Sequence, residues 1–436
     1  MSDCDINIYL MAAMGDALGT GVYGLRPEAV KSFYGDLDRY INPEEHLSHK
    51  IYRWTKPGYY SFITQMALLV TDALLSKGKL ENNITKLMDE ADQRSYSHFR
   101  GIFRNSSGGF EDCLDSRKME EKNNRTQSFF SGITYPFICR YSEHPDRAAD
   151  ELIQFILTMN NNCITLSAAL ATLAAITCRK EAGSSTSRKK ILEAIADRTE
   201  TWEQKVKQRH SKDIDMMSLP FLGNFSSIIR TLSLLDETAT IDEGTKLITK
   251  NAKEKMRMEI NRPGHPEPLA CVVTGIFIGC SPFTTPHESL FKAAQYGQGA
   301  NITASIAGAV QAAGFPERIE HPSQILTGLA NYKQIILRAE AIDAGNFVAD
   351  MKDFRTMEHS LTQSVSLDLE KLIKKYPVQE KQEGPRQKDF LDDMIIKPLI
   401  PDRKNKRLWR DYEREKTKKK KRRRDFIDYP MKTEDD

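Results

Sequence analysis

RWTKPGYYSFITQMALLVTDALL, residues 53–75, decides the fold class. Apolar side chains recur at Met66, Leu69, Val70, Ala73 and Leu74. Steps of three and four residues put one stripe on one face of an α-helix, where a strand would alternate. Gly78 follows as the expected helix stop. The same reading covers Leu152 to Leu157, Ala168 to Cys178 and Ile302 to Ala313. Up to about residue 345 the pattern is helical almost throughout, so the expected fold class is all-α. In the last of these segments Ala304, Ala307, Gly308 and Ala312 are small enough to let helices approach closely, which marks it as central.

Composition narrows the class further. The chain has 436 residues, 40% hydrophobic and 28% charged. It contains no run of about 18 apolar residues of the kind that spans a bilayer, so no membrane partner is expected. Met1 to Ile8 carries two acids and no basic residue ahead of its apolar stretch, the wrong charge for a secretory leader. Seven cysteines (Cys4, Cys113, Cys139, Cys163, Cys178, Cys271 and Cys280) lie scattered without a CxxC pair. That spacing suits neither a disulfide frame nor a zinc site, and it points to a reducing, cytoplasmic setting with the thiols packed as small apolar groups.

Three regions are expected: a helical body over 1–345, a helical or linker extension over 346–402, and a basic tail over 403–436. Loops are expected at Gly183 to Ser187 and at Asn261 to Pro268, where Ser, Gly and Pro interrupt the pattern. PVQEKQEGPRQK, residues 377–388, reads as an exposed linker. The net charge of +3 hides an asymmetry, because Arg403 to Arg424 carries 14 Lys and Arg against 3 acids, leaving the rest of the chain mildly acidic. The densest run includes Lys418, Lys419, Lys420, Lys421, Arg422, Arg423 and Arg424, with Trp409 and Tyr412 shortly before it. Such a tail is either a solvated terminus or a contact for nucleic acid or another polyanion, and in a eukaryotic cell it also reads as a nuclear import signal.

Three motifs carry a family resemblance. MAAMGDALGTGVYG stands at 11–24, the stretch quoted above follows at 53–75, and GQGANITASIAGAVQAAG stands at 297–314. In this order and spacing they resemble the ADP-ribosylglycohydrolase family over roughly residues 8 to 345. The resemblance implies an orthogonal multi-helix bundle around two magnesium or manganese ions, at the mouth of a cleft for ADP-ribose. It also implies that metal-bound water or a carboxylate there helps cleave the N- or O-glycosidic bond to ADP-ribose. Hard divalent ions need oxygen ligands, several of them anionic.

Set against the family's pattern, the metal positions carry other side chains. The acid expected after GDALG falls on Tyr23. The Thr-Asp-Asp-Thr run falls on Ser61, Phe62, Ile63 and Thr64, and the Asp-x-Asp-Thr run falls on Gly299, Ala300, Asn301 and Ile302. Five carboxylates are thereby reduced to none. A cavity lined by Phe62 and Ile63 cannot return the hydration energy of a divalent ion, so no metal and no other cofactor is expected. Asp16 and Thr64 read as remnants of the cleft, with Asp16 expected to bond backbone. The family's ligand loop falls on QSFFSGITYP, residues 127–136, where Phe129 stands at a glycine and Ile133 at an arginine. Its Thr-His pair falls on Thr158 and Met159.

No replacement chemistry announces itself. His98, His210, His265 and His287 stand singly and are read as surface or capping residues, and His46 and His49 as loop residues. Cys113 and Cys139 carry no nucleophile signature. Three functional readings follow. The first is a catalytically inactive member of the family, serving as a binding or structural module, by self-association or with a protein partner. The second is a divergent, metal-independent hydrolase of an ADP-ribosyl or nucleotide substrate, drawing on Asp16, Glu111 or Asp112. The third is a polyanion-binding protein that works through its tail.

Overall fold

The computed structural model describes residues 3–46, 56–80, 82–84, 86–87, 134–159, 163–183, 185–214, 219–256, 260, 267–283 and 285–375. Among these the chain is helical, and no strand occurs. In chain order the helices are α1 (Asp3–Val22), α2 (Pro27–Tyr34), α3 (Phe62–Leu75), α4 (Tyr135–Arg140), α5 (Pro145–Met159), α6 (Cys163–Ala182), α7 (Arg188–Arg209) and α8 (Asn224–Ser233). They continue as α9 (Ile241–Met256), α10 (Pro268–Gly279), α11 (Glu288–Ala294), α12 (Ala300–Ala313), α13 (Ser323–Gly328), α14 (Tyr332–Ala344) and α15 (Phe354–Lys375). The all-α expectation holds.

The centre is the crossing of α1 with α12, and small residues create it. A Cβ on Gly15 would stand 2.1 Å from the Ala304 carbonyl oxygen, and one on Gly19 would stand 2.2 Å from the Asn301 nitrogen. From the other side, a Cβ on Gly308 would stand 2.4 Å from the Met11 carbonyl oxygen. The two backbones therefore touch, and both glycines of GDALG are contact residues here. Nearly all of α1 and every residue of α12 is buried. These helices are wrapped by others rather than laid on a surface, which requires an apolar circumference instead of a stripe.

Helix α3 is also wrapped. Phe62 to Ala73 are all buried, so the Met66–Leu74 stripe is only part of its apolar surface. The helix ends at Leu75, with Ser76 as its cap and both the Ser76 nitrogen and hydroxyl bonded to the Asp72 carbonyl. Gly78 lies past this end, at φ 115°. Helix α6 is long and apolar enough to cross a membrane by length and composition, yet 89% of that stretch is buried inside the fold, as in a core helix.

Apolar packing continues past residue 345, where the sequence reading ended the helical body. Phe354, Met357, Leu361, Val365 and Leu372 are all buried along one face of α15. Phe354, Met357 and Leu361 join the same hydrophobic cluster as α1 and α3. The polar composition between them had masked this face.

Candidate functional site

Three chain segments meet at the N-terminal end of α3. The α1–α12 crossing sets Asp16 beside it, and the first turn of α12 brings Asn301 to its cap. Ser61 is the N-cap of α3, with extended backbone and a hydroxyl that accepts from the Ile63 nitrogen at 3.3 Å. Hydroxyl caps suit this position because the first turn leaves amide groups without intrahelical partners.

Asp16 completes the cap from another helix. Its Oδ2 accepts from the nitrogens of Ser61 and Thr64, each at 3.0 Å, and from the Thr64 hydroxyl at 2.7 Å. Thr20 donates to its Oδ1 at 3.3 Å. The residue is 0% exposed. Burial pushes its carboxyl up to about 6, against the pull of the hydrogen bonds from Ser61 and Thr64. It is therefore ionised at neutral pH, and an anion at a helix N-terminus is stabilising by roughly 1 kcal/mol. The expectation that Asp16 bonds backbone matches this geometry.

Asn301 donates from Nδ2 to the Ser61 hydroxyl at 3.1 Å. Its Oδ1 is buried and has no hydrogen-bond partner among the described residues. Gly299 is the N-cap of α12, with Ile302 N bonded to its carbonyl at 3.0 Å. Phe62, Ile63 and Ile302 are buried in the hydrophobic cluster. Tyr23 pairs its backbone with Gln298, next to Gly299, and the residue is 42% exposed. Ser61 and Asn301 thus meet, although they lie 240 residues apart. The polar side chains gathered here among the described residues are the Asp16 carboxylate, the Ser61 and Thr64 hydroxyls and the Asn301 amide. Among the described residues no group of three or more His, Cys, Asp or Glu is placed to hold a metal ion.

Other sequence candidates fall elsewhere. Thr158 is exposed on α5 and bonds the Gln154 carbonyl at 2.9 Å. Phe129, Ile133, Glu111, Asp112, Cys113, His49, His98, His265 and the whole basic tail, Lys418 to Arg424 included, lie outside the described residues, as do the side chains of His46 and Met159. The six described cysteines are buried and unbridged, and burial raises the Cys139 thiol. His210 caps α7 and pairs with Asp213 at 3.2 Å. His287 stands at the N-cap of α11, as the capping reading allows, but it is not at the surface: it is 6% exposed and its Nε2 faces Nδ1 of His321 at 2.9 Å. Burial lowers both imidazoles, which keeps them neutral near pH 7.

Sequence reasoning missed a second polar cluster on α3. Arg338 of α14 is fully buried and pairs with Asp72 at 2.7 Å. It also donates to the Lys352 carbonyl at 2.9 Å. Gln65 donates to Glu358 of α15 at 2.6 Å. Burial pushes the Glu358 carboxyl up to about 8, so it is largely protonated at neutral pH. The signal was present as single polar residues on apolar helical faces, such as Glu358 beside Met357 and Leu361, but nothing in sequence pairs them.

This chain belongs to the ADP-ribosylglycohydrolase family, whose model matches residues 8–349. Among solved structures it is similar to an ADP-ribosylglycohydrolase-related protein complex at 14% identity, with a TM-score of 0.48, over 78% of this chain and 97% of that one. No curated protein matches.

Proposed function

We propose that this family member does not hydrolyse ADP-ribosyl bonds by a two-metal route and serves instead as a binding or structural module. One observation carries the reading. The one carboxylate that bonds the α3 N-terminus among the described residues, Asp16, already accepts from two backbone amides and the Thr64 hydroxyl, and the expected acid positions beside it are Phe62 and Ile63. A pair of divalent ions needs several anionic oxygens. Ser61, Thr64 and Asn301 offer only neutral ones, so the residues present do not fit the family's metals, and no catalytic step is routed through them. Facing carboxylates without a cation repel one another, whereas buried hydrocarbon packs, so these side chains favour the fold over hydrolysis.

The test is calorimetric titration of the full chain with magnesium and with manganese, paired with hydrolysis of an ADP-ribosylated protein. The expected result is no saturable heat and no metal-dependent turnover. Micromolar affinity, or turnover lost on chelation, overturns the reading.

The tail supplies a second, separable contact in this proposal. Its excess of basic residues between Arg403 and Arg424 favours a polyanion. Binding by counterion release weakens steeply with salt and disappears when residues 403–436 are deleted.

A further inference from the structure

Helix α15 lies beyond residue 349, where the family match ends, yet it is bonded to the segment that builds the candidate site. Glu358 accepts from Gln65, whose nitrogen bonds the Ser61 carbonyl one turn into α3 at 3.2 Å. Ten residues later Asp368 pairs with Lys56 at 2.7 Å, on the lead-in to α3, and Ser364 accepts from the same Lys56 ammonium at 2.7 Å. Ten helical residues span about 15 Å. The stretch from Glu358 to Asp368 therefore bridges the chain from one side of Ser61 to the other. Leu361, 5% exposed, faces inward between these two anchors. Farther on, Lys375 pairs with Glu44 at 2.6 Å.

The connection to the body is built as a turn. Gly345 and Asp350 both adopt left-handed backbone, at φ 74° and 65°, between α14 and α15. Arg338 holds the far side of this turn through the Lys352 carbonyl. Three features therefore coincide: a fixed base, a helix with one apolar face, and polar latches at each end of a buried cap. A helix that only completed the core would need the apolar face and not the latches.

We infer that α15 is a strap over the Ser61 end of α3, and that a molecule reaches the Asp16–Ser61–Asn301 cluster only when this helix undocks. The inference goes beyond the proposed function, because it holds whether or not that cluster ever takes a metal. Within that cluster the Asn301 Oδ1 is buried and without a partner among the described residues, an acceptor for a hydrogen-bond donor that reached it.

Hydrogen exchange on the full chain tests it, following peptides from 56–66 and 354–375 with 300–313 as the control for the body. Leu361→Asp puts a charge on the inner face of α15, and exchange is expected to rise by roughly tenfold or more in both 354–375 and 56–66 while 300–313 stays protected. If 354–375 exchanges freely while 56–66 remains protected, α15 is no cover and the inference fails. Should Leu361→Asp also release 300–313, the ion pair decides. Lys56→Asp is then expected to speed exchange in 56–66, and adding Asp368→Lys to restore it. No change in the single variant, or no recovery in the double, overturns the strap equally.

Discussion

Two parts of α3 handle buried polarity in opposite ways. At its N-terminus the Asp16 carboxylate is held by amides and a hydroxyl, and the neighbouring positions where the family resemblance expects acids are hydrocarbon. Farther along the same helix Asp72 keeps its carboxylate in the core, because the Arg338 guanidinium lies 2.7 Å away. A buried anion persists where the chain itself supplies the compensating charge or a set of donors. At the two positions where the resemblance implies acids compensated by bound ions, this chain carries Phe62 and Ile63.

Restoring the acids attacks that comparison most directly. Phe62→Asp combined with Ile63→Asp places two unpaired carboxylates in the core and is expected to cost more than about 5 kcal/mol, enough to unfold a typical domain. Urea denaturation in chelator and in magnesium checks it. Full recovery in magnesium would show that a metal cradle survives around these positions, and the contrast with Asp72 would collapse.

Next in size is Arg338→Met, which leaves Asp72 buried without its partner and is expected to cost about 3–5 kcal/mol. Adding Asp72→Asn should recover part of the loss, since the uncompensated charge rather than the lost packing dominates. Thermal denaturation of the two variants distinguishes these; a double variant no better than the single would assign the loss to packing.

The smallest expected effect is a slope with pH. Burial raises Glu358 from 4.5 to about 8, so the folded state holds a proton that the unfolded chain has released. Stability therefore falls as pH rises from about 4.5 to 8 and levels above it, by at most about 1.4 kcal/mol per pH unit for one group. Asp16, at about 6, and Glu203 and Glu267, each at about 7, share the lower part of that window. Between pH 7 and 8 Glu358 should dominate. Glu358→Gln is expected to flatten the curve there while keeping a neutral partner for Gln65. An unchanged slope in that variant would remove Glu358 from the account.

Much of the fold was legible in the chain. The steps at Met66, Leu69 and Val70 gave α3, and the small residues Ala304 and Gly308 marked α12 as a close-approach helix. What stayed hidden was the extent of burial. A stripe and a fully wrapped helix differ in what surrounds them, and a single helix's periodicity does not report its neighbours. The site was half legible: the motifs located Asp16, Ser61, Thr64 and Asn301, while Gln65, Arg338 and Glu358 gave no local sign of pairing. His287 does cap α11, but its pairing with His321 was hidden for the same reason, since that partner stands 34 residues away.

The amino-acid order by itself determined the helical class, the family and the residue types standing at the expected metal positions, because periodicity and side-chain chemistry are local properties. Only the tertiary structure decided that Asp16 caps a helix it does not belong to, that Arg338 neutralises Asp72, and that α15 bridges the Lys56–Gln65 segment. Those contacts join residues from 45 to 312 positions apart, and they exist only after packing has removed the water that would otherwise have satisfied each group separately.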